Sequence, residues 1–163
     1  MILKSKNLNI VFSENPDIEQ DSILDDVDDL YNMTETRLYP KGLPLEMSFI
    51  VKKESDVIGE IKLNRIRWFN RKAEISLAIK KQFQRKGYGS DALSLLLNYA
   101  FNKMNFHRLE AEVIEYNEAS IKLVKKFNFV EEGRLREAKY SEGKYWDIIR
   151  YGLLKKEFVS ENI

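Results

Sequence analysis

Two periodicities divide the chain. Alternation of apolar and polar residues predicts strands at "LNIVF" (8–12), at "MSFIVKKESDVIGEIKLNRI" (47–66), where "KESD" makes a hairpin, and at "KAEISLAI" (72–79). In "KAEISLAI", Ile75, Leu77 and Ile79 share one face and Glu74, Ser76 and Ala78 the other. "HRLEAEVIEY" (107–116) is a further strand, and "FVEEGRLREAKYSEGKYWDIIRYGLL" (129–154) a closing hairpin turning at "SEGK". A helical period holds elsewhere. Asn15 is a candidate N-cap with Pro16 at the first helical position, followed by an apolar stripe of Ile23, Val27, Leu30 and Tyr31. Ala92, Leu93, Leu96, Leu97, Ala100, Phe101 and Met104 predict a strong second helix, and "NEASIKLVKKFN" (117–128) a shorter third. Pro40, Gly42 and Pro44 mark "TETRLYPKGLPLE" (34–46) as a loop.

The order is β-α-loop-β-β-β-α-β-α-β-β, without internal repeat or low-complexity linker. It predicts one α/β (α+β) domain over residues 1–163, with a mixed, mostly antiparallel sheet of about seven strands and helices on both faces. A length of 163 residues suits one core. Composition narrows the chemistry. No cysteine means no disulfide, zinc-thiolate site or cysteine nucleophile, and the single His107 leaves no multi-histidine metal site, so no metal is expected. The net charge of +1 gives no reason to expect nucleic acid or membrane as partner. Neither an apolar leader core nor a spanning stretch is present, so a cytoplasmic protein is expected.

The stretch "KKQFQRKGYGSDA" (80–92) places two glycines one residue apart behind a run of cations, at the start of the second helix. A P-loop needs its lysine after the second glycine, and here Lys86 precedes Gly87. "GYGSDA" satisfies a dinucleotide fingerprint, with Glu110 placed as a ribose-binding acid. Against that reading, seven mainly polar residues separate Ile79 from Gly87, and three strands precede this one. A third reading is a diphosphate loop. Free N–H groups and the positive end of the helix dipole favour an anion, and glycine admits it without a Cβ in the way. An ordinary strand-to-helix turn with solvated cations fits the loop taken alone.

Gln84, Arg85 and Lys86 followed by Gly87 and Gly89 resemble Q/R-x-x-G-x-G, the pyrophosphate loop of the GNAT superfamily of acyl-CoA-dependent N-acyltransferases. "KAEISLAI" resembles that family's fourth strand, "NEASIKLVKKFNF" its Asn-x-Ala-Ser helix, and "FVEEGRLRE…GKYWD…YGLL" the closing hairpin of the ribosomal-protein N-terminal (alanine) acetyltransferase and spermidine acetyltransferase branch. The likeness runs from about Phe49 to Phe158. It implies the GNAT fold and acetyl-CoA as co-substrate. By resemblance the backbone of Leu77, Ala78 and Ile79 pairs with pantetheine, and Gln84, Arg85, Lys86, Gly87, Tyr88, Gly89 and Ser90 hold the pyrophosphate. Asn117 contacts the pantetheine arm. Lys122, Lys125 and Lys126 are within reach of the adenosine phosphates or are a solvated helix face.

The resemblance implies direct transfer of acetyl to an amine. Neutralising an alkylamine of pKa ~10.4 at pH 7 costs ~4.6 kcal/mol, against ~1 for an α-amine, so an alkylamine acceptor demands an effective base. Glu74 is the first candidate, the alternative being an exposed residue paired with Lys62 or Arg71. Glu112 is the second. The family's frequent tyrosine acid falls here on Val124; in the ribosomal-protein branch a serine one turn earlier is the candidate donor, and Ser120 resembles it, with Tyr116 or Tyr140 as substitutes. A thiolate of pKa ~8.5 can also depart unassisted. His107 reads as a structural or loop residue. Trp68, Phe69, Tyr145 and Trp146 lie where family members bind acceptor, and the cluster Asp25–Asp29 is either a lure for a cationic acceptor or a solvated face. The acceptor is then a peptide or protein N-terminus, an amino acid, a polyamine or an amino-bearing antibiotic. A non-catalytic acyl-CoA-binding or sensor protein is the rival, and a homodimer is compatible with the fold.

Overall fold

The computed structural model describes residues 2–13 and 42–159. The helix expected from Asn15 and most of the loop after it lie outside the described residues. The expected strands appear as β2 (Asn9–Ser13), β3 (Met47–Lys53), β4 (Asp56–Arg67), β5 (Lys72–Ile79), β6 (Arg108–Ile114), β7 (Val130–Ser141) and β8 (Lys144–Leu154). A strand of three residues, β1 (Ile2–Lys4), precedes them and is too short for a period to reveal. Together they form an eight-stranded sheet in the order β1-β2-β3-β4-β5-β6-β8-β7. Every neighbouring pair is antiparallel except β5 and β6.

The registers line up the apolar positions. Phe49 lies opposite Ile61, Leu63 opposite Ile75, and Leu109 opposite both Ala73 and Leu153, all 8% exposed or less. Each of the Leu, Ile and Phe side chains contributes about 1.5–3 kcal/mol by leaving water. Helix α1 (Tyr88–Asn98) covers this face with Ala92, Leu93, Leu96 and Leu97, and a π-helical turn over Tyr99–Lys103 continues it to bury Ala100 and Phe101. Helix α2 (Glu118–Lys126) adds Val124 to the same core.

Two bulges keep the face apolar where the sequence slips out of alternation. Between Ile58 and Ile61, and again between Leu63 and Ile66, the apolar spacing is three residues instead of two. The β3–β4 register shifts at the first slip and the β4–β5 register at the second, so all four residues stay fully buried. The opposite face of β4, β5, β6 and β8 carries Lys62, Asn64, Glu74, Glu110, Glu112 and Arg150.

Candidate active site

The sheet opens where its parallel pair, β5 and β6, fails. β5 stays paired with β4 out to Gly59↔Ile79, but with β6 only over Lys72↔Arg108, Ala73↔Leu109 and Glu74↔Glu110. Beyond Glu74 the ladder ends, while β6 continues alongside β8 to Ile114↔Ile148. The second edge of β5 at Leu77, Ala78 and Ile79 therefore borders a gap between two strands. Gly59 holds the other edge tight. A Cβ there would collide with the Ala78 carbonyl and the Ile79 side chain.

A loop closes the end of this gap. After Ile79 the chain makes a 3₁₀ turn at Lys81–Phe83, and Gln84 Nε2 donates back to the Ile79 carbonyl at 2.8 Å. Arg85 and Gly87 both take positive φ, 60° and 87°, and Gly87 caps α1 without any side-chain acceptor. The N–H groups of the first turn are thus left to the space in front of the helix, flanked by the exposed Arg85 and Lys86. Lys126 of α2 reaches across, its Nζ donating to Ser90 Oγ at 2.6 Å. A Cβ on Gly89 would stand 3.6 Å from Leu77, 3.8 Å from Ile79 and 3.9 Å from Leu123, so α1, β5 and α2 converge there. An extended arm ending in a diphosphate fits this donor set: strand backbone along the arm, then a cationic helix N-terminus for the anion.

Charges crowd the polar face at the mouth of the gap. Glu74, 16% exposed, meets Arg65 Nη1 at 3.1 Å. Burial pushes its carboxyl above the usual range. Arg65 and Arg150 pull it down, and Glu112 and Glu110 push it further up. Glu112 is held by Arg150 Nε at 3.3 Å. Glu110 receives Lys72 at 3.1 Å and Arg108 at 2.8 Å, and Arg108 also forks onto Glu132. Burial is the largest single influence on Glu110 and pushes it up, yet Arg108 and Lys72 together hold it below the ordinary value. Among the described residues no three His, Asp or Glu side chains gather as metal ligands.

Residues 14–130 match the family model described as acetyltransferase (GNAT) domain. This chain belongs to the GNAT family. "Uncharacterized N-acetyltransferase p20" of Bacillus licheniformis is 36% identical over 72% of the chain, and "Putative ribosomal N-acetyltransferase YdaF" of Bacillus subtilis 34% over 66%. The matched stretches span 66% and 59% of those relatives' own lengths, less than two thirds of each. A crystal structure of spermidine N-acetyltransferase from Vibrio cholerae in complex with CoA and spermine superposes with a TM-score of 0.67 at 28% identity, over 82% of this chain and 76% of that one.

Within the GNAT frame the remaining expected residues separate. Asn117 caps α2, its Oδ1 accepting the Ser120 N–H at 3.1 Å, so both stand at the N-terminal end of α2, with Ser120 half-buried. Val124, at the family's tyrosine position, is 6% exposed and packed in the core. Of the three lysines Lys126 reaches the loop, whereas Lys122 pairs with Glu118 at 3.8 Å on the open surface. Tyr88 is half-buried against the core, between Phe83 and the ammonium of Lys53 on β3. His107 is exposed, with its backbone tied to Arg71 and Lys155. Trp68 packs on Phe106 and donates to the Pro44 carbonyl at 2.8 Å, a structural post. Trp146 is half-buried, edge-on to Tyr116 and under Lys144, while Tyr145 is 61% exposed against Tyr140. The expected partners of Glu74 were Lys62 or Arg71. Lys62 instead binds Glu46 and Glu60, and Arg65 takes the place beside Glu74. Arg65 and Arg150 are the site residues that sequence reading missed. The three-residue step from Leu63 to Ile66 was the available signal for Arg65.

Proposed function

We propose that this GNAT chain transfers an acetyl group from acetyl-CoA to the nitrogen of an amine acceptor. The observation that carries the reading is the gap beside Leu77, Ala78 and Ile79 ending on the cationic N-terminus of α1. Gln84 through Ser90 and Lys126 would hold the pyrophosphate, and the β5 edge the pantetheine arm. When bound, acetyl-CoA supplies a thioester whose carbonyl is open to a neutral amine. Glu74 is the base that takes the proton from the incoming ammonium, with a carboxyl raised towards that task by burial. Glu112 is the second acid at the same mouth. Ser120 Oγ is the proton donor on the sulfur side.

The acceptor is a small-molecule amine or a peptide N-terminus. A spermidine acetyltransferase among the structural relatives supports a polyamine, and a relative named for ribosomal acetylation supports a peptide. Release of the free thiol of CoA, followed colorimetrically with polyamines, N-terminal alanine peptides, amino acids and aminoglycosides, tests the proposal. Turnover with any amine class supports it. The buried Val124 at the tyrosine position favours a second reading, an acyl-CoA sensor. Tight CoA binding with no release across the panel would select that reading.

A further inference from the structure

Arg65 occupies its position because of a bulge. The β4–β5 register pairs Asn64 with Glu74 and next Arg67 with Lys72, so residues 65 and 66 stand against one residue of β5. In unbroken alternation residue 65 would follow Leu63 into the core. Instead Ile66 fills the core, fully buried, and Arg65 adopts φ 48° and turns out onto the face of Glu74. Left-handed backbone is unfavourable for a side-chain-bearing residue, so the placement carries a conformational cost.

The charged groups around Glu74 are Arg65 on β4, Glu110 and Glu112 on β6, and Arg150 on β8. Of the neighbouring carboxylates Glu110 has the firmer partners, Lys72 and Arg108, the latter 23% exposed. Glu112 has one contact, with its cross-strand neighbour Arg150 at 3.3 Å. Glu74 combines the extremes of the three: at 16% it is the least exposed carboxylate, fixed in the sheet, and its partner, at 66%, is the most exposed cation and held at one carboxylate oxygen. The anion stays, and the cation can swing into water at little loss.

We propose that Arg65 is a displaceable stand-in for the acceptor, its guanidinium occupying the place beside Glu74 that the ammonium of a cationic acceptor takes over. The exchange is cation for cation, so Glu74 is never left buried and unpaired. An acceptor without positive charge at the reacting end would leave it so, which makes the exchange a filter for charged amines. Arg65 acts through Glu74 and is a positioning and specificity residue. The inference rests on Glu74 as the base.

The test compares wild type, Arg65→Gln, Arg65→Lys and Glu74→Gln in kcat and KM against pH, with spermidine and an N-terminal alanine peptide as acceptors. Arg65→Gln should lower KM for the accepted amine by about 1.5- to 5-fold, the range of an exposed ion pair, with kcat little changed. Its acid limb should move to higher pH, because the cation that pulls the Glu74 carboxyl down is gone. Arg65→Lys should restore both. Independently of turnover, the Arg65 Nε–H NMR resonance of the CoA complex should shift on adding spermidine or peptide in wild type, but not in Glu74→Gln. An unchanged or raised KM with an unmoved acid limb in Arg65→Gln, or a resonance indifferent to both amines, overturns the inference. Full activity in Glu74→Gln overturns the base assignment instead, and the resonance then reports on the exchange alone.

Discussion

Glu74 lies 16% exposed on the polar face, and its carboxyl sits above the usual range because burial disfavours the charge. A raised folded-state pKa gives stability that is present below the unfolded value of about 4.3 and is lost as pH rises through the folded value. At neutral pH the ionised Glu74 therefore weakens the fold it serves. Glu74→Gln should raise Tm at pH 7, and the gain should fade below about pH 4, as calorimetry from pH 3 to 8 would show. The same change should lower kcat/KM by about 10²- to 10⁴-fold, the range of a general base. Stability and activity moving in opposite directions is what separates a base held under strain from a structural ion pair, whose loss would lower Tm.

At the level of elements, one end of α2 carries both a cap and a proposed cofactor contact. Asn117 closes its first turn, and the same residue is proposed to meet the pantetheine arm. Asn117→Ala should cost about 0.5–2 kcal/mol of stability and about 2–4 °C of Tm per kcal/mol. Asn117→Ser should keep the cap and Tm, so any rise in KM for acetyl-CoA in that variant isolates a contact with the arm. The sequence made most elements legible, because alternation in β3, β5 and β6 is enforced by a face that must stay dry, while the closing hairpin was marked by its "SEGK" turn. It also showed the glycine loop and the cap, whose chemistry is local in the chain. Three residues of β1 carry no readable period. The Lys126–Ser90 contact joins two helices 36 residues apart, and the Arg150–Glu112 pair depends on β8 lying beside β6, so neither is written in local spacing. The partner of Glu74 was misassigned for a different reason. The bulge that presents Arg65 breaks the rule by which faces are assigned.

Over the whole molecule the near-neutral charge conceals segregation. Cations gather at the α1 loop and α2, and mixed charges tie the far strands together. Arg108 alone links Glu110 on its own strand to Glu132 on β7, across β8. Hydrogen bonding from Arg108 holds Glu132 below its ordinary value, and Glu110 is low for the reasons given above. Depressed carboxylates give stability that is present above about pH 4.3 and lost as pH falls through their folded values. Arg108→Gln should thus cost about 1–3 kcal/mol at pH 7, and the deficit relative to wild type should shrink towards pH 3 in parallel melts. The gap beside β5 has a consequence of another kind. Over Leu77–Ile79 β5 lacks a neighbour on its second edge, and an arm lying there, as proposed, would complete the sheet. Folding free energy then becomes partly a function of donor supply, rising by about 2.7 kcal/mol at a hundred times Kd. Hydrogen exchange of the residue 77–79 amides should slow on adding CoA, while the β7–β8 hairpin stays unchanged. A cell starved of CoA would hold a looser, more readily degraded population of this protein, so its abundance would follow metabolic state without any regulator.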